Sequence, residues 1–172
     1  MGCDRAFGPS GSGGKKATNV FWFEDFMHPE NYDGYAQVAD AVQTPVAAGE
    51  QESTIWGFRT LAERGHIDIL QPDISRCGGL TVARQISQLA GELGRRCVPH
   101  AWMTDLLTSA TLHLNAIMPN PVFVEFNVTR SPLVRELIRK PLKLEAGHLR
   151  VPEGPGLGVE VDEEAVARYR VA

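Results

Sequence analysis

The sequence predicts a parallel α/β fold, and three observations predict it. Short β-prone apolar runs alternate with stretches whose apolar residues recur at helical spacing. Each apolar run closes on an ionisable residue: Glu24 in FWFED, Glu50 in PVAAGE, Asp73 in DILQPD, His100 in CVPHAW and Glu125 in VFVEF. These five residues are 26, 23, 27 and 25 positions apart, the length of one strand-plus-helix unit, so the chain reads as similar units in series. Strands joined in this way are parallel, with right-handed crossovers.

Residues 1–19, with GPSGSGGKKAT, are glycine- and serine-rich, offer little to bury, and are expected to form a flexible leader. Gly14-Lys15 is not a phosphate loop: Pro9 occupies the first glycine position, Lys16 replaces the Ser or Thr, and no strand precedes it. VFWFEDF is the first strand and His28-Pro29 breaks it. Tyr35, Val38, Ala39 and Val42 then mark one face of a helix, and Pro45 ends that helix and opens PVAAGE. Ser53 is the expected N-cap of a helix burying Ile55, Phe58, Leu61 and Ala62 and stopped by Gly65. IDILQPD is the third strand, and Gly78-Gly79 a turn. The longest helix follows, with Val82, Ile86, Leu89, Ala90 and Leu93 on its stripe and Gly94 at its end. RCVPHAW is the fourth strand, and Asp105 opens a helix presenting Leu107, Ala110, Leu114 and Ile117. Pro119-Asn120-Pro121 leads into VFVEF, the expected fifth strand, and 20–130 form one unit.

Residues 131–172 break the repeat and read as a tail. Leu133 to Ile138 are expected to form a helical turn, LRVPEGPGLGVEV two short extended pieces around a turn, and Asp162 the cap of a last helix, EEAVARYR. GPGLG is not a dinucleotide fingerprint, because no strand-turn-helix surrounds it.

At 172 residues and 43% hydrophobic, the chain can bury a real core. A net charge of −4 gives no basic face for nucleic acid. Cys3, Cys77 and Cys97 lack CxxC spacing and are odd in number, so neither a disulfide framework nor a zinc site is favoured and a reducing cytoplasm is expected. No apolar run approaches the roughly 18 residues needed to span a bilayer, and MGCDRA departs from a myristoylation site at Ala6.

In a parallel sheet or barrel the carboxyl ends of the strands converge on one mouth, where ligands bind. Singly, Glu24 and Glu50 are explained as helix-entry carboxylates, Asp73 as a turn residue, His100 as a core histidine and Glu125 as a surface residue. Five such residues at matching positions favour a shared site. His28, His66, His113 and His148 have no such placement and read as structural or solvated.

WFED, PVAAGE, DILQPDISRCGG, VPHAW, FVEF and the closing VPEGPGLGVEVDE, in that order and spacing, resemble the C-terminal part of the mandelate racemase and muconate lactonising branch of the enolase superfamily. The resemblance implies a modified (β/α)8 barrel of the TIM type, here partial, with Glu24 and Glu50 as Mg2+ ligands. It implies Asp73 and His100 as a paired general base or acid, and Glu125 as a hydrogen-bonding group for the substrate carboxylate. The substrate class it implies is a sugar acid that loses the proton α to its carboxylate and then water, or that is racemised or cycloisomerised. Dehydratase is preferred to racemase because only the His100 face carries a base. A homo-oligomer is expected, with no nucleic acid or membrane as partner.

The residues before Val20 match neither the third metal carboxylate nor the lysine of that family, and its capping domain has no counterpart here. A whole barrel takes about 250 residues. A second reading is therefore a non-catalytic half-barrel with Phe21 to Phe26 as an exposed edge, weak Mg2+ affinity and turnover near background. A third, an open doubly wound sheet, is separated from both by strand order.

Overall fold

A computed structural model describes residues 20–171; the leader, with Gly14-Lys15, lies outside the described residues. Four short strands, β1 (Phe23–Glu24), β2 (Val46–Ala48), β3 (Ile69–Leu70) and β4 (Arg96–Cys97), pair in parallel in chain order. Helices α1 (Tyr32–Ala41), α2 (Thr54–Arg64) and α3 (Gly79–Glu92) connect them, and α4 (Asp105–Ile117) follows β4. Sequential order is that of a barrel arc; a doubly wound sheet would reverse at a switch point.

Side chains alternate across each strand, so the sheet has two apolar faces. Val46, Ala48, Leu70 and Cys97 pack outward against Tyr35, Phe58, Leu61, Ile86, Leu89 and Leu114 of the helices. Ala47, Ile69 and Val98 form a second cluster on the inner face, covered by Trp22 and Val122. Both faces being buried explains why these strands read as continuous small apolar runs. At the amino end of the strands, Asp68 accepts from the Val46 amide at 2.9 Å and pairs with Arg95 at 3.1 Å, which closes that end.

Two expectations change. VFVEF is not a fifth strand: 121–130 run as irregular backbone beside β4. The polar groups that would build a ladder are taken by side chains. Glu125 Oε2 accepts from the Ala101 amide at 2.5 Å, Asn115 Nδ2 donates to the Phe123 carbonyl at 2.9 Å, and Arg135 donates to the Asn127 carbonyl. LRVPEGPGLGVEV does turn at 154–158, but its flanks do not pair into strands; Val161 makes one isolated bridge with Ile138. The tail is fastened to α4 instead, with Ser109 Oγ and His113 Nε2 at 2.7 and 3.1 Å from the Leu157 carbonyl. Within it lie α5 (Pro132–Arg135) and α6 (Glu163–Arg168), the latter capped by Asp162 through the Glu164 and Ala165 amides.

Gly49, after β2, has φ +131°, and a Cβ there would meet Phe58 Cε1 at 2.7 Å and the Gln71 amide nitrogen at 3.2 Å. Gly91, inside α3, has open space where a Cβ would go. Gly49→Ala is therefore expected to destabilise the fold by about 1–3 kcal/mol, whereas Gly91→Ala should stabilise it by about 0.5–1 kcal/mol. Urea unfolding midpoints of the two variants check both signs.

Candidate active site

Parallel pairing points the carboxyl ends of β1 to β4 the same way, and the residues just past those ends meet there. Asp73, three residues beyond β3, is fully buried, and His100, three beyond β4, is 6% exposed. His100 Nδ1 lies 2.8 Å from Asp73 Oδ2. The other Asp73 oxygen accepts from the Ser75 amide and hydroxyl at 2.7 and 2.5 Å, a local turn of the kind Asp favours. A buried carboxylate must be satisfied in this way or lose its charge.

Burial by itself would raise the Asp73 pKa, but the hydrogen bonds from His100 and Ser75 outweigh it and hold the carboxyl below its ordinary value. Asp73 is thus an acceptor, and His100 carries a proton on Nδ1. Burial pushes His100 down, yet the Asp73 bond, Glu125 and Glu50 together leave its pKa above the ordinary value. Its other nitrogen, Nε2, lies 3.1 Å from Glu50 Oε2 and 3.9 Å from Glu125 Oε2.

Glu50 also faces the end of β1. Donor oxygens of Glu24, Asp25 and Glu50 all lie within 4.8 Å of one another. Trp22 Nε1 donates to Glu24 Oε2 at 2.5 Å, and Arg76 Nη1 sits 3.8 Å from Glu50 Oε1. Asp25 adopts φ 41°, which turns it toward its neighbours, and the Tyr35 hydroxyl lies 3.3 Å from Asp25 Oδ1 and 3.0 Å from the Met27 carbonyl. Burial, then Glu50 and Glu24, push the Asp25 carboxyl up to about 6. Three crowded carboxylates present a donor set of oxygen alone, the kind that hard divalent cations take.

The structure thus brings together all five residues singled out in the sequence: Glu24, Glu50, Asp73, His100 and Glu125. Asp25 escaped the sequence reading because it directly follows Glu24, where strand alternation turns a side chain away; only its positive φ brings it back. Three of the other histidines are engaged elsewhere: His66 pairs with Asp40 at 2.9 Å, and His113 and His148 bond backbone carbonyls. Burial raises the Cys77 and Cys97 thiols to about 11 and about 12, far from the thiolate a nucleophile needs. No helix among the described residues is long and apolar enough to cross a membrane.

A parallel arc with an Asp–His pair and a carboxylate cluster on its carboxyl-terminal rim is part of a β/α barrel of the enolase type. The chain belongs to the enolase C-terminal domain-like family, whose model matches residues 14–165. It is 38% identical over 160 residues to a D-galactarolactone cycloisomerase of Agrobacterium fabrum, covering 88% of this chain and 42% of that protein. Identity to a D-xylonate dehydratase of Haloferax volcanii is 33%, over 89% of this chain and 37% of the relative. The crystal structure of a 3,6-anhydro-D-galactonate cycloisomerase from Zobellia galactanivorans superposes with a TM-score of 0.80 at 40% identity, over 87% of this chain and 42% of the other. The chain therefore spans well under half the length of these relatives.

The signs for pH follow from the two shifts. Asp73, held low, favours folding above its ordinary value of 3.8, a contribution lost as pH falls through its folded value. His100, held high, favours folding fully below its ordinary 6.5, a contribution lost as pH rises through its folded value. The pair stabilises most between those two ordinary values. Histidine NMR in chelator-treated buffer should place the His100 midpoint above 6.5, and Asp73→Asn should lower it, because the imidazolium loses its anionic partner while burial remains. An unmoved midpoint in the variant would show that the Asp73 bond does not set it.

Proposed function

We propose that this chain supplies the metal-binding and acid–base part of a Mg2+-dependent active site that removes the proton α to the carboxylate of a sugar acid and expels an oxygen from the neighbouring carbon. The observation that carries this is the His100 imidazole, anchored on Asp73 at 2.8 Å with Nε2 turned to the rim carboxylates Glu50 and Glu125. Relatives named as dehydratases and cycloisomerases of sugar acids and their lactones agree with that reaction class.

Glu24 and Glu50, with Asp25 in reach, would hold the cation, which when bound supplies positive charge to the anion left by the departing proton. His100 Nε2 accepts the α-proton when neutral, or delivers a proton to the leaving hydroxyl when charged. Asp73 keeps the proton on Nδ1 and stabilises the imidazolium, so that Nε2 alone changes state. Glu125, whose Oε2 accepts from the Ala101 amide, would hydrogen-bond the substrate carboxylate through a proton shared between the two, a bond that strengthens as negative charge grows there.

The second reading, a remnant without activity, draws on the exposed edge at β1, where Phe21 and Phe23 are 44% and 46% exposed, and on the short span relative to family members. One experiment separates them. D-galactonate and D-xylonate are incubated with the chain and Mg2+ in heavy water, and deuterium at the α-carbon is followed by NMR. Slow exchange that needs Mg2+ and falls by about 10²-fold, or to background, in His100→Asn supports the catalytic reading. Equal exchange in wild type and His100→Asn leaves the remnant.

A further inference from the structure

Among the described residues, three buried side-chain oxygens have no hydrogen-bond partner: Thr111 Oγ1, Asn115 Oδ1 and Gln71 Oε1. The first two belong to α4, on the outer layer. Gln71 is different, because it extends β3 toward the rim. Its amide donates to the Ala48 carbonyl at 3.0 Å, continuing the β2–β3 ladder, so strand alternation still applies at this position. Ile69 faces inward with Ala47 and Val98, and Asp73 reaches His100 across the same side. Gln71, midway between Ile69 and Asp73, shares that inward face one step below the Asp73–His100 pair.

A buried acceptor left unpaired is costly, and a glutamine in such a place calls for a donor. Gln71 is 5% exposed, so it lies just under the mouth rather than sealed away from it. Its terminal torsion is a soft two-fold rotation, which exchanges the oxygen and nitrogen ends. A hydroxyl, at once donor and acceptor, is satisfied by either end.

We propose that Gln71 is a specificity-determining residue: its carboxamide reads a hydroxyl of a polyhydroxylated carboxylate seated over Asp73 and His100. This rests on the sugar-acid reading above and adds which residue selects for hydroxyls. An apolar acid gives Gln71 nothing to bond and leaves its oxygen orphaned.

The test is a titration of the 15N-labelled chain with D-galactonate and separately with propionate, both with Mg2+, following the Gln71 side-chain amide and the His100 ring. D-galactonate should move both signals, and propionate the His100 ring alone. Gln71→Met, close in size and without polar atoms, should cut the preference for D-galactonate over propionate by roughly 3- to 10-fold, the worth of one hydrogen bond. It should also raise the unfolding midpoint, since the orphaned oxygen is gone, a combination that a purely structural glutamine would not give. His100 shifting with D-galactonate while Gln71 stays still, or an unchanged preference in Gln71→Met, overturns the role of Gln71 alone and leaves an ordered water as its partner. A His100 ring that ignores D-galactonate overturns the sugar-acid reading and this role with it. Were Gln71→Met to fail to fold, the wild-type amide signals decide.

Discussion

The hydrogen bond between His100 and Asp73 is the contact on which the site depends, and it exists only because β3 and β4 are adjacent and parallel. Two strands running the same way, in register from Ile69 with Arg96 to Leu70 with Cys97, carry the residues three places past their ends to the same height. Asp73 is fully buried there, and a bare carboxylate in that position would be neutralised. The turn at Ser75 prevents this by committing one oxygen to local donors and leaving the other for the imidazole. With Nδ1 so engaged, Nε2 of His100 is left to face Glu50 and Glu125.

The rim beyond that pair carries more negative charge than its own cations balance. Glu24, Asp25, Glu50 and Glu125 surround it, while Arg76 reaches Glu50 only at 3.8 Å and from a partly exposed position. The rise of Asp25 to about 6 expresses this crowding, with burial as its larger cause. An added divalent cation would relieve the crowding and draw Glu50 away from the imidazole it touches in this structure. Glu50 thus stands between the carboxylate cluster and the imidazole, with its side chain 28% exposed.

Much of this was legible in the sequence because the barrel repeat carries its own ruler. Even spacing revealed Glu24, Glu50, Asp73, His100 and Glu125 as equivalent positions, and helical stripes such as Val82, Ile86, Leu89 and Ala90 marked the crossovers. What could not be read depends on backbone angles or on missing partners. Asp25 joins the cluster through a φ that alternation does not foresee, and Gln71 carries no charge to single it out. VFVEF has strand composition, but Asn115, Arg135 and Glu125 supply side-chain partners where a ladder would need backbone ones. Composition sets the taste of a segment for extended backbone; the neighbours set whether it pairs.

The irregular course of 121–130 has its own consequence for the site. Phe123 approaches Phe21 and Trp22 with ring centroids 5.4 and 6.0 Å apart, and Val122 joins Trp22 over Ala47, Ile69 and Val98. The segments that flank the four-stranded arc therefore fold toward each other across its inner face and floor it with apolar groups. Water excluded from that floor cannot screen the groups just above it, so the attraction between Asp73 and His100 acts at low local dielectric, where the same 2.8 Å contact counts for more than it would at the surface. Trp22, which reads in the sequence only as part of a β-prone run, thus helps to keep water from beneath the Asp73–His100 pair.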